Sequence, residues 1–66
     1  MKYAKLRGRI VEKFGTMTNF AKAIGMSRVA LYLKLNGKIG FSDSQIKDWA
    51  RLLDIKLNEL GQFFFV

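Results

Sequence analysis

Apolar side chains return along this chain at steps of three and four. Tyr3, Leu6, Ile10 and Phe14 fall on one helical face, with Lys2, Lys5, Arg9 and Lys13 largely off it. That spacing predicts a helix over about 3–14, stopped by Gly15, after which the Thr16 hydroxyl is placed to cap the next helix by accepting a free backbone N–H. Phe20, Ala21 and Ile24 mark a two-turn helix over about 17–24, which Gly25 ends because glycine enters the left-handed conformation without steric cost. Ser27 caps a third helix over about 27–35, carrying Leu31 and Leu35 inward at i, i+4, and Asn36-Gly37 is a turn signal. A loop with Ile39 and Phe41 follows. Ser42-x-x-Gln45 then reads as a capping box opening a fourth helix over about 43–53, with Ile46, Trp49, Ala50 and Leu53 on one stripe. Ile55, Leu57 and Leu60 predict a one-turn fifth helix over about 57–60, ended by Gly61 and leaving an apolar tail over 61–66. The expected fold is all-α: one domain over residues 1–66, a compact bundle of four to five short helices.

Composition fits that picture and narrows the chemistry. Half of the 66 residues are hydrophobic, and Pro and Cys are absent, so the core must hold by apolar packing without disulfides or a zinc-thiolate clip. No apolar run approaches the roughly 18–20 residues of a membrane span, and Met-Lys-Tyr-Ala-Lys is not followed by the apolar stretch of a signal peptide. The expected setting is the cytoplasm, with no membrane partner. There is no His, no Cys and no acidic run that could form a metal cage or a paired-carboxylate site, so neither a cofactor nor enzyme activity is expected.

Charge adds a direction. Residues 1–41 hold Lys2, Lys5, Arg7, Arg9, Lys13, Lys22, Arg28, Lys34 and Lys38 against Glu12 alone, a balance of +8. Residues 42–66 hold Lys47, Arg51 and Lys56 against Asp43, Asp48, Asp54 and Glu59, a balance of −1. Such segregation points to one face built to meet a polyanion.

Ala21, Gly25 and Leu31 stand at relative positions 0, 4 and 10, and each has a geometric job in a helix-turn-helix. A small residue lets the third helix cross close to the second, glycine supplies the turn, and leucine fills the wedge where the helices diverge. Phe20-Ala21-Lys22-Ala23-Ile24-Gly25-Met26-Ser27-Arg28 and Leu35-Asn36-Gly37-Lys38 resemble the helix-turn-helix of phage repressors and Cro proteins, over roughly residues 3–60. The layout is most similar to small Cro-like proteins of phages infecting Gram-positive bacteria. The resemblance implies a five-helix fold with the third helix lying in the DNA major groove, and a dimer on two operator half-sites about one helical turn (roughly 34 Å) apart. Two positions depart from that pattern. Many relatives open the second helix with a phosphate-binding glutamine where Met17 stands here, and many have a buried arginine-glutamate pair where Ile10 and Leu35 stand. An apolar pair replaces a buried ion pair without loss of stability, but Met17 cannot reproduce the glutamine's bonds.

With Leu31 and Leu35 inward, a helical wheel turns Val29 and Leu33 outward, flanked by Arg28, Ala30 and Tyr32. Arg28 is the candidate for base readout, since a guanidinium donates two bonds to guanine; its alternative is a phosphate contact or plain solvation. Val29, Ala30 and Leu33 could meet only thymine methyls, and Leu33 equally suits a position under the loop or a protein partner. Tyr32 could reach a base edge or a phosphate, or cover the rim of the core. Phosphate anchoring is expected from Thr16, Met17 at the amino end of the second helix, Ser27, Lys34, Asn36 and Lys38, with Lys22, Lys2 and Lys5 contributing to the field.

Alternation along the tail Phe63-Phe64-Phe65-Val66 is expected to bury only some of its rings against the fourth helix, and the rest form an apolar patch that suits a homodimer contact, as a packed segment or a paired strand; the alternative is full burial within one subunit. The expected function is a dimeric, Cro-like transcription repressor on double-stranded operator DNA. The alternative is a phage antirepressor or modulator that presents its helix-turn-helix face to another repressor protein. A basic amphipathic membrane binder is disfavoured by the core-like helix patterns.

Overall fold

Several helix ends in this protein are marked by a capping side chain or a left-handed backbone residue. In the computed structural model, which describes residues 3–65, α1 spans Ala4–Phe14, α2 Met17–Ile24, α3 Arg28–Leu35 and α4 Asp43–Leu53. A 3₁₀ turn, Leu57–Glu59, leads straight into α5, Leu60–Phe64. The described residues contain helix and loop and no strand.

The Thr16 hydroxyl accepts from the Asn19 N–H, and the Ser27 hydroxyl from the Ala30 N–H, both at 3.1 Å. At α4 the cap is reciprocal: Ser42 Oγ accepts the Gln45 N–H at 3.2 Å, and Gln45 Oε1 accepts the Ser42 N–H at 3.0 Å. Gly25 takes the left-handed conformation, φ 71°, that turns the chain from α2 into α3. Asp54 does the same at the end of α4, φ 55°, a conformation that short polar side chains tolerate. Arg9 then closes that end from α1. Its Nη1 donates to the carbonyls of Leu53 at 2.9 Å and Asp54 at 3.1 Å, while its Nε pairs with Glu12 at 3.1 Å. A cation there meets both the unpaired carbonyls and the negative end of the helix dipole.

α1 packs against α2, α4 and α5, and α3 packs on α2. Leu6, Ile10, Phe20, Leu31, Leu35 and Leu53 are fully buried around Trp49. The indole is the centre of an aromatic cluster, meeting Phe20 edge-on at 4.9 Å and Phe41 at 4.8 Å between ring centroids, with Phe64 at 6.4 Å. Such contacts stabilise beyond the area they bury, by about 0.5–1.5 kcal/mol each.

The carboxyl-terminal segment departs from the sequence expectation. Gly61 does not stop a helix; it lies inside α5, and Phe63 and Phe64 are buried in their own subunit at 1% and 4% exposure. Burying two phenylalanines contributes about 1.5–3 kcal/mol each, which outweighs the roughly 1 kcal/mol cost of a helical glycine. Lys5 and Arg9 lie over the Phe63 ring, each 5.1 Å from its centroid. Phe63 and Phe64 are therefore core residues and not a dimer surface. Phe65 is the tail's exposed ring, and Val66 lies outside the described residues.

Candidate partner-binding face on the third helix

α3 owes its exposed position to a short partner and a tight turn. α2 has only eight residues, and the Met26 N–H bonds back to the Ala21 carbonyl at 2.9 Å, so the chain reverses within Gly25–Ser27 and starts α3 at once. Ala21 and Leu31 are both buried at this junction. With Leu31 and Leu35 inward, the opposite side of α3 faces solvent: Val29 is 71% exposed, Tyr32 and Leu33 are exposed, Ala30 is half-buried, and Arg28 is exposed at the amino end. Beyond the helix, the backbone N–H groups of Lys38 and Ile39 both bond to the Leu33 carbonyl, at 2.8 and 3.4 Å. This fold-back holds Ile39, also exposed, beside the end of the apolar strip.

The segment that carries the strip holds charges of one sign. From Lys13 to Phe41 the chain has no acidic residue. Lys22, Arg28 and Lys38 are exposed, and none of them belongs to the ion pairs found among the described residues. Arg7 joins the face from α1, its guanidinium 5.9 Å from the Tyr32 ring centroid, with Nη1 buried and without a hydrogen-bond partner. Sequence reasoning missed Arg7 as part of this face, because its approach to Tyr32, 25 positions along the chain, depends on how the helices pack and not on local spacing.

Several expected phosphate ligands stand elsewhere. Lys34 is 5% exposed, and its ammonium donates to the Gly40 carbonyl at 2.7 Å and to Gln45 Oε1 at 2.8 Å, 5.2 Å from the Phe41 ring centroid. It is a clip between α3 and the first turn of α4, and not a phosphate contact. Lys5 is directed to Gln62 and the Phe63 ring, and so does not serve the α3 face. Met17 is half-buried and packs on the core, which leaves the amino end of α2 without a polar side chain at that position. Thr16 and Ser27 are exposed with their hydroxyl oxygens engaged as helix caps, and Asn36 and Lys38 are exposed at the far end of α3. Lys2 lies outside the described residues.

The described fold is a small helical bundle that presents one amphipathic helix after a tight turn, with apolar residues exposed along it. The chain belongs to the family described as "Protein of unknown function (DUF739)", which matches residues 1–66. It is also similar to a protein of known structure, the modulator of repression (MOR) of the temperate bacteriophage TP901-1 from Lactococcus lactis. The two are 38% identical, with a TM-score of 0.86 over 97% of this chain and 86% of that one. That relative bears the name of a modulator, not of a Cro protein or a repressor. Among curated proteins no relative matches.

Proposed function

We propose that this protein is a phage regulator that acts on repression by binding a repressor protein through the outward face of α3, in the cytoplasm of the bacterial host. The observation that carries this reading is the apolar crest of α3. Val29, 71% exposed, stands between Arg28 and the exposed Tyr32 and Leu33. Side chains without hydrogen-bonding groups cannot read the donor and acceptor pattern of base edges, whereas they are what a protein–protein contact desolvates at its centre, with polar groups at the rim. The likeness to a modulator of repression points the same way.

One observation favours a second reading, direct operator binding: the exposed Lys22, Arg28 and Lys38 have no acidic neighbour in sequence and no ion pair within the described fold. Salt separates the two. The protein is titrated against a purified phage repressor, and separately against that repressor's operator fragment, at about 50 and about 200 mM salt. The proposal expects saturable binding to the repressor that changes only slightly with salt. It also expects loss of the repressor–operator complex as the protein is added. Binding to the operator alone, falling with a log–log slope of about −0.9 for each phosphate contact, would replace it with the DNA reading.

A further inference from the structure

The second apolar surface of the molecule is built from other elements. α4, the 3₁₀ turn and α5 enclose an open hollow of about 230 Å³, lined by Asp43, Ile46, Lys47, Leu57, Leu60 and Phe65. Leu57 is 87% exposed and Phe65 69%, which makes the rim of the hollow as apolar as its floor. We propose that this surface is a self-association site at which a second copy of the chain docks about a two-fold axis.

Two observations select a second copy as the occupant. First, the surface carries both halves of a contact: a projecting leucine and a projecting phenylalanine stand beside a hollow of side-chain dimensions. In an isologous dimer residue i of one copy meets residue j of the other, and j meets i, so each copy's Leu57 and Phe65 enter the other's hollow. Second, the charges are self-complementary. Asp43 and Lys47 lie one turn apart on α4 at the lining, and neither takes part in the ion pairs found within the described fold. Antiparallel apposition of the two α4 helices sets Asp43 of each copy against Lys47 of the other, giving two opposite-charge pairs that flank Ile46. A stable standard-size interface covers about 800 Å² per partner, and the whole surface of this chain is 4211 Å². A contact centred on one hollow takes less than that, which places the association in the weak, concentration-dependent class. This contact uses none of the α3 face, so each copy of a dimer keeps that face available to its own partner.

Sedimentation equilibrium of the full chain, from about 10 μM to about 1 mM, tests the site. The expected result is a weight-average mass rising from 7.6 kDa toward twice that value. Leu57→Asp, at a position 87% exposed in the single chain, is expected to shift the midpoint at least about tenfold, because each copy would then carry a charged group in place of a leucine into the other's apolar hollow. Lys47→Asp is expected to weaken association by setting like charges opposite each other, and adding Asp43→Lys in the same chain to restore it. Circular dichroism melting of each variant verifies that it is folded. A folded wild type that stays monomeric at about 1 mM overturns the proposal, as does a Leu57→Asp protein that associates like wild type or a double swap that fails to restore association. Monomeric protein whose binding to a repressor is lost in Leu57→Asp would assign the hollow to that partner instead.

Discussion

Arg9 and Lys34 on one hand, and Arg28 and Lys38 on the other, count alike in the net charge of +7, yet the fold treats the two pairs oppositely. Arg9 closes the carboxyl end of α4, and Lys34 is inserted between the Gly40 carbonyl and the Gln45 side chain. Both ammonium or guanidinium groups complete the interior. Arg28 and Lys38 are exposed at the two ends of α3 and belong to none of the ion pairs found among the described residues. A balance of +8 over residues 1–41 therefore overstates the polyanion-facing charge, because Arg9 on α1 and Lys34 on α3 are already partnered within the chain, in the seam those helices form with α4 and the loop before it. The seam should respond to substitution as an interior does, and the α3 face as a surface.

The largest expected effect is at the centre of the seam. Trp49→Ala removes the ring that Phe20, Phe41 and Phe64 pack against, at a cost of about 3–5 kcal/mol. A domain of this size is stable by little more than that, so the variant should show no cooperative urea transition at room temperature. A loss below about 1 kcal/mol would mean that the cluster is not what holds the helices together.

Next comes Lys34→Ala, expected to lower stability by about 1–3 kcal/mol, since the Gly40 carbonyl loses its charged donor inside the fold. Urea midpoints report the stability, and titration with repressor and operator in the same samples reports the function. The expected result is a shifted midpoint with partner affinity unchanged once folding is corrected for. Unchanged stability with a salt slope reduced by about 0.9 on operator DNA would place the ammonium at a phosphate and not inside the fold.

What could be read from the chain alone follows from the range of the interactions involved. The all-helical architecture was legible because its signals are local: hydroxyls at Thr16 and Ser27, the Ser42–Gln45 box and glycines at 15 and 25 each act within a few residues. The outward direction of Val29 and Leu33 was legible for the same reason, since helix geometry sets them opposite Leu31 and Leu35. Lys34 was misread because its partners lie 6 and 11 residues away and exist only once the loop has folded back, and Arg9 reaches 44 residues to α4. Phe63 and Phe64 were misread because a five-residue segment after a glycine has no periodicity to reveal which rings turn inward. The hollow beside Leu57 had no sequence signal, as it arises from where α4 and α5 meet.

The smallest effect on stability is expected at Val29, and it is the most informative about function. At 71% exposure, Val29→Lys should change unfolding free energy by no more than about 0.5 kcal/mol. Its consequences for the two candidate partners have opposite signs. Placing an ammonium in the middle of an apolar protein contact forces its desolvation without a partner, so repressor binding should weaken at least about tenfold. The same added cation on a helix lying against DNA gains a phosphate, so operator affinity should hold or rise at low salt with a steeper slope. One variant, titrated against both ligands, thus reads the sign of the interaction at the crest of α3. Weakened repressor binding with a folded, wild-type-like melting curve would support the protein-facing role, and strengthened operator binding would transfer the crest to DNA.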